Sequence, residues 1–316
     1  MSAEAILTTA RQYLGVDPTV SISMIPIKRG ASGRTVVRVK PAGHEPFIGI
    51  HWTDEREDNE LFVPVAKFLK QARIRVPTIL YDRMRYHVAL VEDLGDADLL
   101  SFKDRPFAER LPLYRAAFEQ VDKLFYTKPP KDFELMPAFD EATYRWEQEY
   151  FFEHVVEGHL GMDASGLRKN EDLGKMAARL GGLSKHLVHR DFQSQNILVK
   201  DGSIYLIDFQ GMRRGRQEYD LASLIFDPYL DHSADEREQL LALWENIADE
   251  RPEAGLFRQC AAQRLMQAMG AYGNIVHNNG DEWYRPHIAT GAKLLREVIA
   301  GTPLATPLAP VLERLV

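Results

Sequence analysis

The chain has 316 residues, a formal net charge of −7 at neutral pH, 27% charged residues and one cysteine. That length buries a large core, while the lack of any apolar run near the roughly 18 residues of a membrane span and of a long basic run argues against membrane and nucleic acid as partners. Lone Cys260 leaves no intrachain disulfide, and no cationic stretch followed by an apolar one opens the chain, so the expected location is the cytoplasm.

In chain order, Ala3 to Leu14 reads as a helix. Val20 to Ile27 and Thr35 to Lys40 read as strands, separated by the glycine-bearing turn 28–34, and Phe47 to Trp52 as a third. Glu57 to Ala72 places Leu61, Val65, Phe68 and Leu69 at helical spacing. Thr78 to Tyr81 and His87 to Val91 make five strands, and Glu92-Asp93-Leu94-Gly95 ends the sheet-rich part. Helices then dominate: Pro106 to Tyr126, Glu141 to His159, Glu171 to Ser184 and three long segments after residue 218. The expected class is α+β, with a five-stranded lobe carrying one main helix (1–94) and a mostly helical lobe (95–316).

The helical half is interrupted by a hairpin. Asn196 to Lys200 and Ser203 to Ile207 are rich in β-branched and aromatic residues, and Asp201-Gly202 between them is a type I′ signal. Pairing outward from that turn sets Lys200 opposite Ser203, Val199 opposite Ile204 and Asn196 opposite Ile207. Asp208 then stands one register step from Asn196 at the open end. One step turns a side chain to the other face, so the chain must twist after Ile207, with Phe209 as the apolar anchor. Paired residues sit about 4.5–5.5 Å apart, close to the spacing of oxygens around one Mg²⁺. With Asp191 just upstream, the stretch offers what phosphoryl transfer from ATP requires: a carboxylate to orient the attacking hydroxyl, and oxygen ligands, Asn196 and Asp208, for Mg²⁺.

The spacing His189-x-Asp191-x4-Asn196 resembles the catalytic loop of protein kinases, and Asp208-Phe209 resembles their metal-binding turn. With Gln210 in place of the usual Gly, the chain is more similar to the aminoglycoside phosphotransferase and choline kinase family, whose acceptors are small molecules. Further segments resemble its branch of bacterial anomeric kinases of N-acetylmuramate and N-acetylglucosamine: 63–69 with Val76-Pro77, 90–96, Glu147 to His154 leading to His159-Leu160-Gly161, and Gln263 to Gly273. The resemblance implies a two-lobed protein-kinase-like fold with ATP between the lobes. It implies Asp191 as base, Asn196 and Asp208 as Mg²⁺ ligands, backbone contacts from Glu92 and Leu94 to adenine, and cytoplasmic work in cell-wall sugar recycling. Asp220 resembles an Asp that caps the next helix and braces the catalytic loop; His189 is expected to tie that loop to the metal-binding turn, and Arg190 to be an exposed or loop-bracing charge.

Gly30-Ala31-Ser32-Gly33 can fold its N–H groups over the ATP phosphates, or simply turn a hairpin. The third strand lacks the Lys that protein kinases use there. Lys28, Arg34, Arg38 and Lys40 lie close in sequence, with Glu57 or Glu60 as a helix carboxylate, and Arg34 is expected at the phosphates. Beyond Gln210 the segment is basic, and Arg213 and Arg216 are expected at the acceptor, unless this is a solvated turn. Arginines there disfavour a polycationic aminoglycoside and suit a neutral or anionic sugar. Three readings stand beside the sugar kinase. One is an aminoglycoside, choline-like or homoserine-like acceptor, which acidic residues or an aromatic cage would support. A protein kinase is opposed by the short chain between Asp208 and Asp220. A nucleotide-binding pseudokinase scaffold is favoured only by the missing Lys.

Overall fold

A computed structural model describes residues 2–27 and 33–316. The chain divides into two compact units, one of 1–98, 127–136 and 196–212, the other of 99–126, 137–195 and 213–316. Relative to the boundary expected at 94/95, the first unit also takes in 127–136 and the hairpin.

The first unit is built on an antiparallel sheet of β1 (Ile22–Pro26), β2 (Thr35–Pro41), β3 (Phe47–His51), β4 (Ile79–Arg83) and β5 (Val88–Glu92), ordered β1-β2-β3-β5-β4. Helix α1 (Ser2–Leu14) lays Ile6 and Ala10 on Val37, Val39, Phe47, Val88 and Leu90. Strand alternation explains the pattern: Val37 and Val39 face α1, and Arg38 and Lys40 point the other way. At Gly49, in the middle of β3, a Cβ would collide with the Ile6 side chain and stand 3.3–3.4 Å from Val39 and Val37. Glycine is required there by the helix above.

The expected helix Glu57 to Ala72 is split into a 3₁₀ turn, Glu57–Leu61, and α2 (Phe62–Gln71). Pro64 accounts for the break. Without an N–H it cannot bond the carbonyl of Glu60, and its ring crowds that carbonyl, so it is tolerated only in a first turn. Phe68 of α2 packs on Phe133 with ring centroids 4.7 Å apart, which attaches the segment 127–136.

The hairpin forms in the expected register, Ile197↔Leu206, Leu198↔Tyr205, Val199↔Ile204 and Lys200↔Ser203. Asp201 and Gly202 both take positive φ, 51° and 72°, as a type I′ turn demands. Val199 N–H donates to Ala97 O and Leu206 N–H to Arg75 O, each at 2.8 Å, so both strands are tied into the first unit.

The second unit is helical: α3 (Phe107–Tyr126), α4 (Glu141–Phe151), α5 (Ser165–Arg168), α6 (Glu171–Gly182), α7 (Gln217–Ile225), α8 (Ala234–Ala248), α9 (Ala254–Asn274), α10 (Arg285–Ile299) and α11 (Ala305–Leu315). α9 lies against α4, α7 and α10 and is buried round nearly its whole circumference, so it carries no one-sided apolar stripe. Added methyls at Gly270 and Gly273 would come within 3.0 Å of Phe151 N and 2.6 Å of His154 O, so these glycines let α4 and its continuation approach. That continuation, Phe152–Glu157, is a π-helical turn rather than the further α-helix expected to His159. A two-stranded ribbon, His186–Val188 with Arg213–Gly215, was not legible as strands. No helix among the described residues is long and apolar enough to cross a membrane.

Gly49→Ala is expected to cost about 1–3 kcal/mol of stability, the usual effect of overfilling a packed site. Combined with Ile6→Ala it should cost less than the two separate losses together, measured by urea unfolding of the three variants; strictly additive losses would show that the two residues are not coupled.

Candidate active site

The segment carrying Asp191 leaves the strand His186–Val188 and turns at Arg190, whose φ of 79° is uncommon for a residue with a side chain. The turn is held from behind. Asp220, fully buried on α7, accepts His189 N–H at 2.6 Å on one oxygen and Arg190 N–H at 2.8 Å on the other. Burial pushes its pKa up to about 7 against the lowering effect of those two N–H groups. The N-cap of α7 is Arg216, so Asp220 sits inside the first turn and braces the loop without capping the helix, a correction to the capping role expected.

Further along, Ser194 N–H donates to Asp227 at 2.7 Å, and the other oxygen of Asp227 takes Tyr229 N–H at 2.9 Å. Asp227 is fully buried and burial raises its pKa. The loop therefore hangs from two buried carboxylates. Asp227 was missed from sequence, although an acid between Phe226 and Pro228 is an available signal. The His189 ring is buried beside Phe192, centroids 6.3 Å apart.

Two guanidinium groups flank Asp191. Arg264 Nη2 lies 3.5 Å from Oδ1, and Arg190 Nη1 lies 3.8 Å from Oδ2. For both arginines burial opposes the charge, but nearby Asp191 and Glu147 more than offset it and raise the pKa. Arg190 is thus a bracing charge and not an exposed one. Glu147 of α4 is fully buried, accepting Tyr219 O–H at 2.9 Å and Gln263 Nε2 at 3.1 Å, and burial raises its pKa. Gln263 also donates to Tyr144 O at 2.9 Å and accepts from Gln148 at 3.1 Å. The two segments singled out around Glu147 and Gln263 interlock beside Asp191. In the sequence Arg264 and Glu147 stand only as parts of those segments, with nothing to mark a role.

Arg213 is buried, its guanidinium 5.1 Å over the Phe139 ring, and burial together with Arg190 lowers its pKa. Arg216 gives Nε and Nη2 to the Glu218 carboxylate at 3.0 and 2.7 Å, and Nη1 to Ser184 O and Oγ. The basic segment is therefore not a solvated turn at either residue; Arg214 alone of the three is exposed.

In the first unit, Ile207 N–H donates to Asn196 O at 3.0 Å, carrying the hairpin pairing one step further. Asp208 then takes left-handed backbone, φ 64° and ψ 31°, which supplies the twist expected after Ile207. Phe209, buried, stacks on Phe62 of α2 with centroids 5.3 Å apart and planes 12° apart. Asp208 pairs with Arg34 and accepts Gln210 Nε2 at 2.9 Å, while Arg34 Nη1 donates to Gln210 Oε1 at 3.0 Å. The Asp208 side chain keeps 34% exposure. Held at one end of the hairpin, its carboxylate and the Asn196 amide are hard oxygen donors of the kind Mg²⁺ takes, and the cation already drawn to Asp208 marks it as an anionic site. The residues present fit that ion.

Gly33 has φ 67°, whereas Gly30 and Ser32 lie outside the described residues. Glu92 accepts Thr78 Oγ1–H at 2.9 Å, and Leu94 is buried. Arg38 donates Nε to Asp93 at 2.6 Å and both Nη atoms to Asp96, so this cation grips the connection that carries Glu92 and Leu94. Glu60 accepts Trp52 Nε1–H at 2.8 Å; Glu57 and Lys40 are exposed.

The fold is kinase-like. It superposes on the choline kinase LicA of Streptococcus pneumoniae with a TM-score of 0.65, at 16% identity over 94% of this chain and 100% of that one. The ADP-bound aminoglycoside phosphotransferase APH(2'')-Ib gives 0.58 at 12% identity, over 94% and 97%. A family model described as the phosphotransferase enzyme family matches residues 23–257, and the chain belongs to that family. It is similar to an N-acetylmuramate/N-acetylglucosamine kinase of Pseudomonas aeruginosa, 26% identical over 308 residues that cover 92% of this chain and 88% of the relative.

The raised pKa of Asp220 has a sign that can be tested. A carboxyl whose pKa rises from near 4 to about 7 on folding contributes stability that is present below pH 4 and lost as pH rises through 7. Asp220→Asn has no such proton to lose. The Tm of the unaltered protein should therefore fall relative to that of Asp220→Asn between pH 4 and 7, and parallel curves would show that the carboxyl does not titrate there.

Proposed function

We propose that this protein is an ATP- and Mg²⁺-dependent kinase of an amino sugar, transferring the γ-phosphoryl group to a hydroxyl, the anomeric one in the reading favoured here. The observation that carries the choice of acceptor is the pair of guanidinium groups, Arg190 and Arg264, that flank Asp191. Such surroundings repel a polycationic aminoglycoside and tolerate a neutral or carboxylate-bearing sugar. The name of the Pseudomonas relative supports the same class.

In the proposed reaction Asp191 accepts a hydrogen bond from the acceptor hydroxyl and takes its proton as the new O–P bond forms and the bond to the β-phosphate oxygen breaks, releasing ADP. Asn196 and Asp208 would hold Mg²⁺, whose charge would offset that developing on the phosphate oxygens. Arg34 stands in for the missing third-strand Lys at the phosphates. Gly30, Ser32 and Gly33 are assigned to the phosphates as well, and the backbone of Glu92 and Leu94 to adenine. Of the two arginines assigned to the acceptor, Arg213 and Arg216, the second commits all three nitrogens to Glu218 and Ser184, which weighs against it as a ligand. His189 and Asp220 support the loop, and the setting is the cytoplasm.

One observation favours a choline-like acceptor instead. Tyr229 meets His287, Tyr272, Trp283 and Tyr284 at centroid distances of 4.7, 5.2, 5.3 and 6.5 Å, and Trp283 is 46% exposed. Aromatic faces of this kind attract quaternary ammonium groups. The buried arginines around Asp191 weigh against it.

An ATP-consumption screen over N-acetylmuramate, N-acetylglucosamine, aminoglycosides and choline should give turnover with the sugars, and a phosphorus coupling to the anomeric proton in the product NMR spectrum. Turnover with choline alone would replace this reading by the second one. Asp191→Ala should lower kcat by about 10²–10⁴-fold with ATP affinity nearly intact, and Asp208→Ala should abolish the Mg²⁺-dependent part of the thermal shift produced by ATP. Near-normal turnover of Asp191→Ala would sink the assignment, as an ATP shift with no turnover on any acceptor would favour a scaffold.

A further inference from the structure

We propose that Arg264 is the positioning residue for the base: it contributes to phosphoryl transfer by fixing the Asp191 carboxylate and does not itself bind the acceptor. The proposal rests on Asp191 being the base, as read above.

Each nitrogen of the Arg264 guanidinium has a fixed protein partner. Nε donates to Ser223 Oγ at 2.9 Å, Nη1 to Gln267 Oε1, and Nη2 to Gln193 Oε1 at 2.9 Å while facing Asp191 Oδ1 at 3.5 Å. The residue is 5% exposed. A guanidinium so committed has little left for a ligand, and its planar fork is what such simultaneous engagement requires.

Its partners say what it does. Ser223 lies on α7, the helix that carries the loop-bracing Asp220, and Gln193 lies in the loop itself, two residues after Asp191. Arg264 therefore links α9 and α7 to the loop at the one residue whose side chain must be aimed. The two buried carboxylates hold the loop through backbone N–H groups and not through the Asp191 side chain. Arg264 on Oδ1 and Arg190 on Oδ2 restrict it from both sides. At 3.5 and 3.8 Å these contacts are ionic and longer than ordinary hydrogen bonds, so they orient the carboxylate by charge. Misaiming a reacting group by about 1 Å can cost on the order of 100-fold in rate.

The test is a kinetic cycle of Arg264→Met, Asp191→Ala and the double variant, measured by single turnover and supported by Arg264→Lys and by Arg264→Ala with added guanidinium. Arg264→Met should lower kcat about 10- to 100-fold, with KM for ATP and for acceptor changed less than about twofold. In the Asp191→Ala background the same substitution should cost little further, because its effect passes through the missing carboxylate. Arg264→Lys should recover part of kcat, and non-denaturing guanidinium chloride, but not sodium chloride, should raise the kcat of Arg264→Ala. If Arg264→Met fails to fold, these last two measurements carry the test alone. A rise confined to acceptor KM would make Arg264 an acceptor ligand, and an equal loss in both backgrounds would show that it acts independently of Asp191; either overturns the proposal. Near-normal turnover of Asp191→Ala, by contrast, would fail the assignment of the base and leave the Arg264→Met result to be read on its own.

Discussion

The interaction on which the loop geometry depends is the pair of hydrogen bonds from two consecutive backbone N–H groups, His189 and Arg190, to the single buried carboxylate of Asp220. Arg190 sits in left-handed backbone, a conformation that costs of order 1–3 kcal/mol when imposed on a residue of this kind. Two hydrogen bonds to one buried carboxyl group, each worth about 1 kcal/mol or more, offset it. Their own difficulty is that burial disfavours the ion that makes them, which is why the Asp220 pKa rises so far. The second carboxylate, Asp227, repeats the arrangement at Ser194. Between these anchors the backbone around Asp191 is set by α7 and the chain that follows it, and not by the short strand that leads into the loop.

The first unit solves a different problem with different means. One departure from the protein-kinase pattern, Gln210 where a Gly is usual, belongs to a closed arrangement of side chains at Asp208. Arg34 pairs with Asp208 and donates to Gln210, and Gln210 in turn donates to Asp208. A glycine could not close that ring, and a lysine lacks the planar fork that serves two acceptors at once. The stacked pair Phe62 and Phe209 seats the same turn on α2, so the left-handed Asp208 is fixed on both flanks.

What could be read from the sequence was local. The hairpin register follows from a two-residue turn and a period of two, and it propagates correctly as far as Asn196 because each pairing determines the next. The five strands and the main helices were legible for the same reason. Three-residue strands such as His186–Val188 carry no period at all. Burial of the basic segment was illegible because it depends on partners that sequence does not place, Phe139 under Arg213 and Ser184 against Arg216. Arg264 was hidden more deeply. It lies over seventy residues from the loop it serves, on a helix buried all round, so no stripe distinguishes a functional position from a packing one.

The buried charges around Asp191 form a set whose members behave unequally. Taken as ion pairs they contribute little net stability, since desolvation roughly cancels attraction, yet removing one member leaves an uncompensated charge at a cost of about 3–5 kcal/mol. Within the set, burial drives Glu147 up and Arg213 down, moving each toward its neutral form. Arg190 and Arg264 move the other way, because Asp191 lies against them and restores the charge that burial penalises. All three guanidinium groups stay charged at neutral pH, so what sets Arg190 and Arg264 apart is their direct approach to the Asp191 oxygens, at 3.8 and 3.5 Å. A network serving only to fill the core would have no reason to bring two guanidinium groups to the two oxygens of one carboxylate; one that aims that carboxylate does.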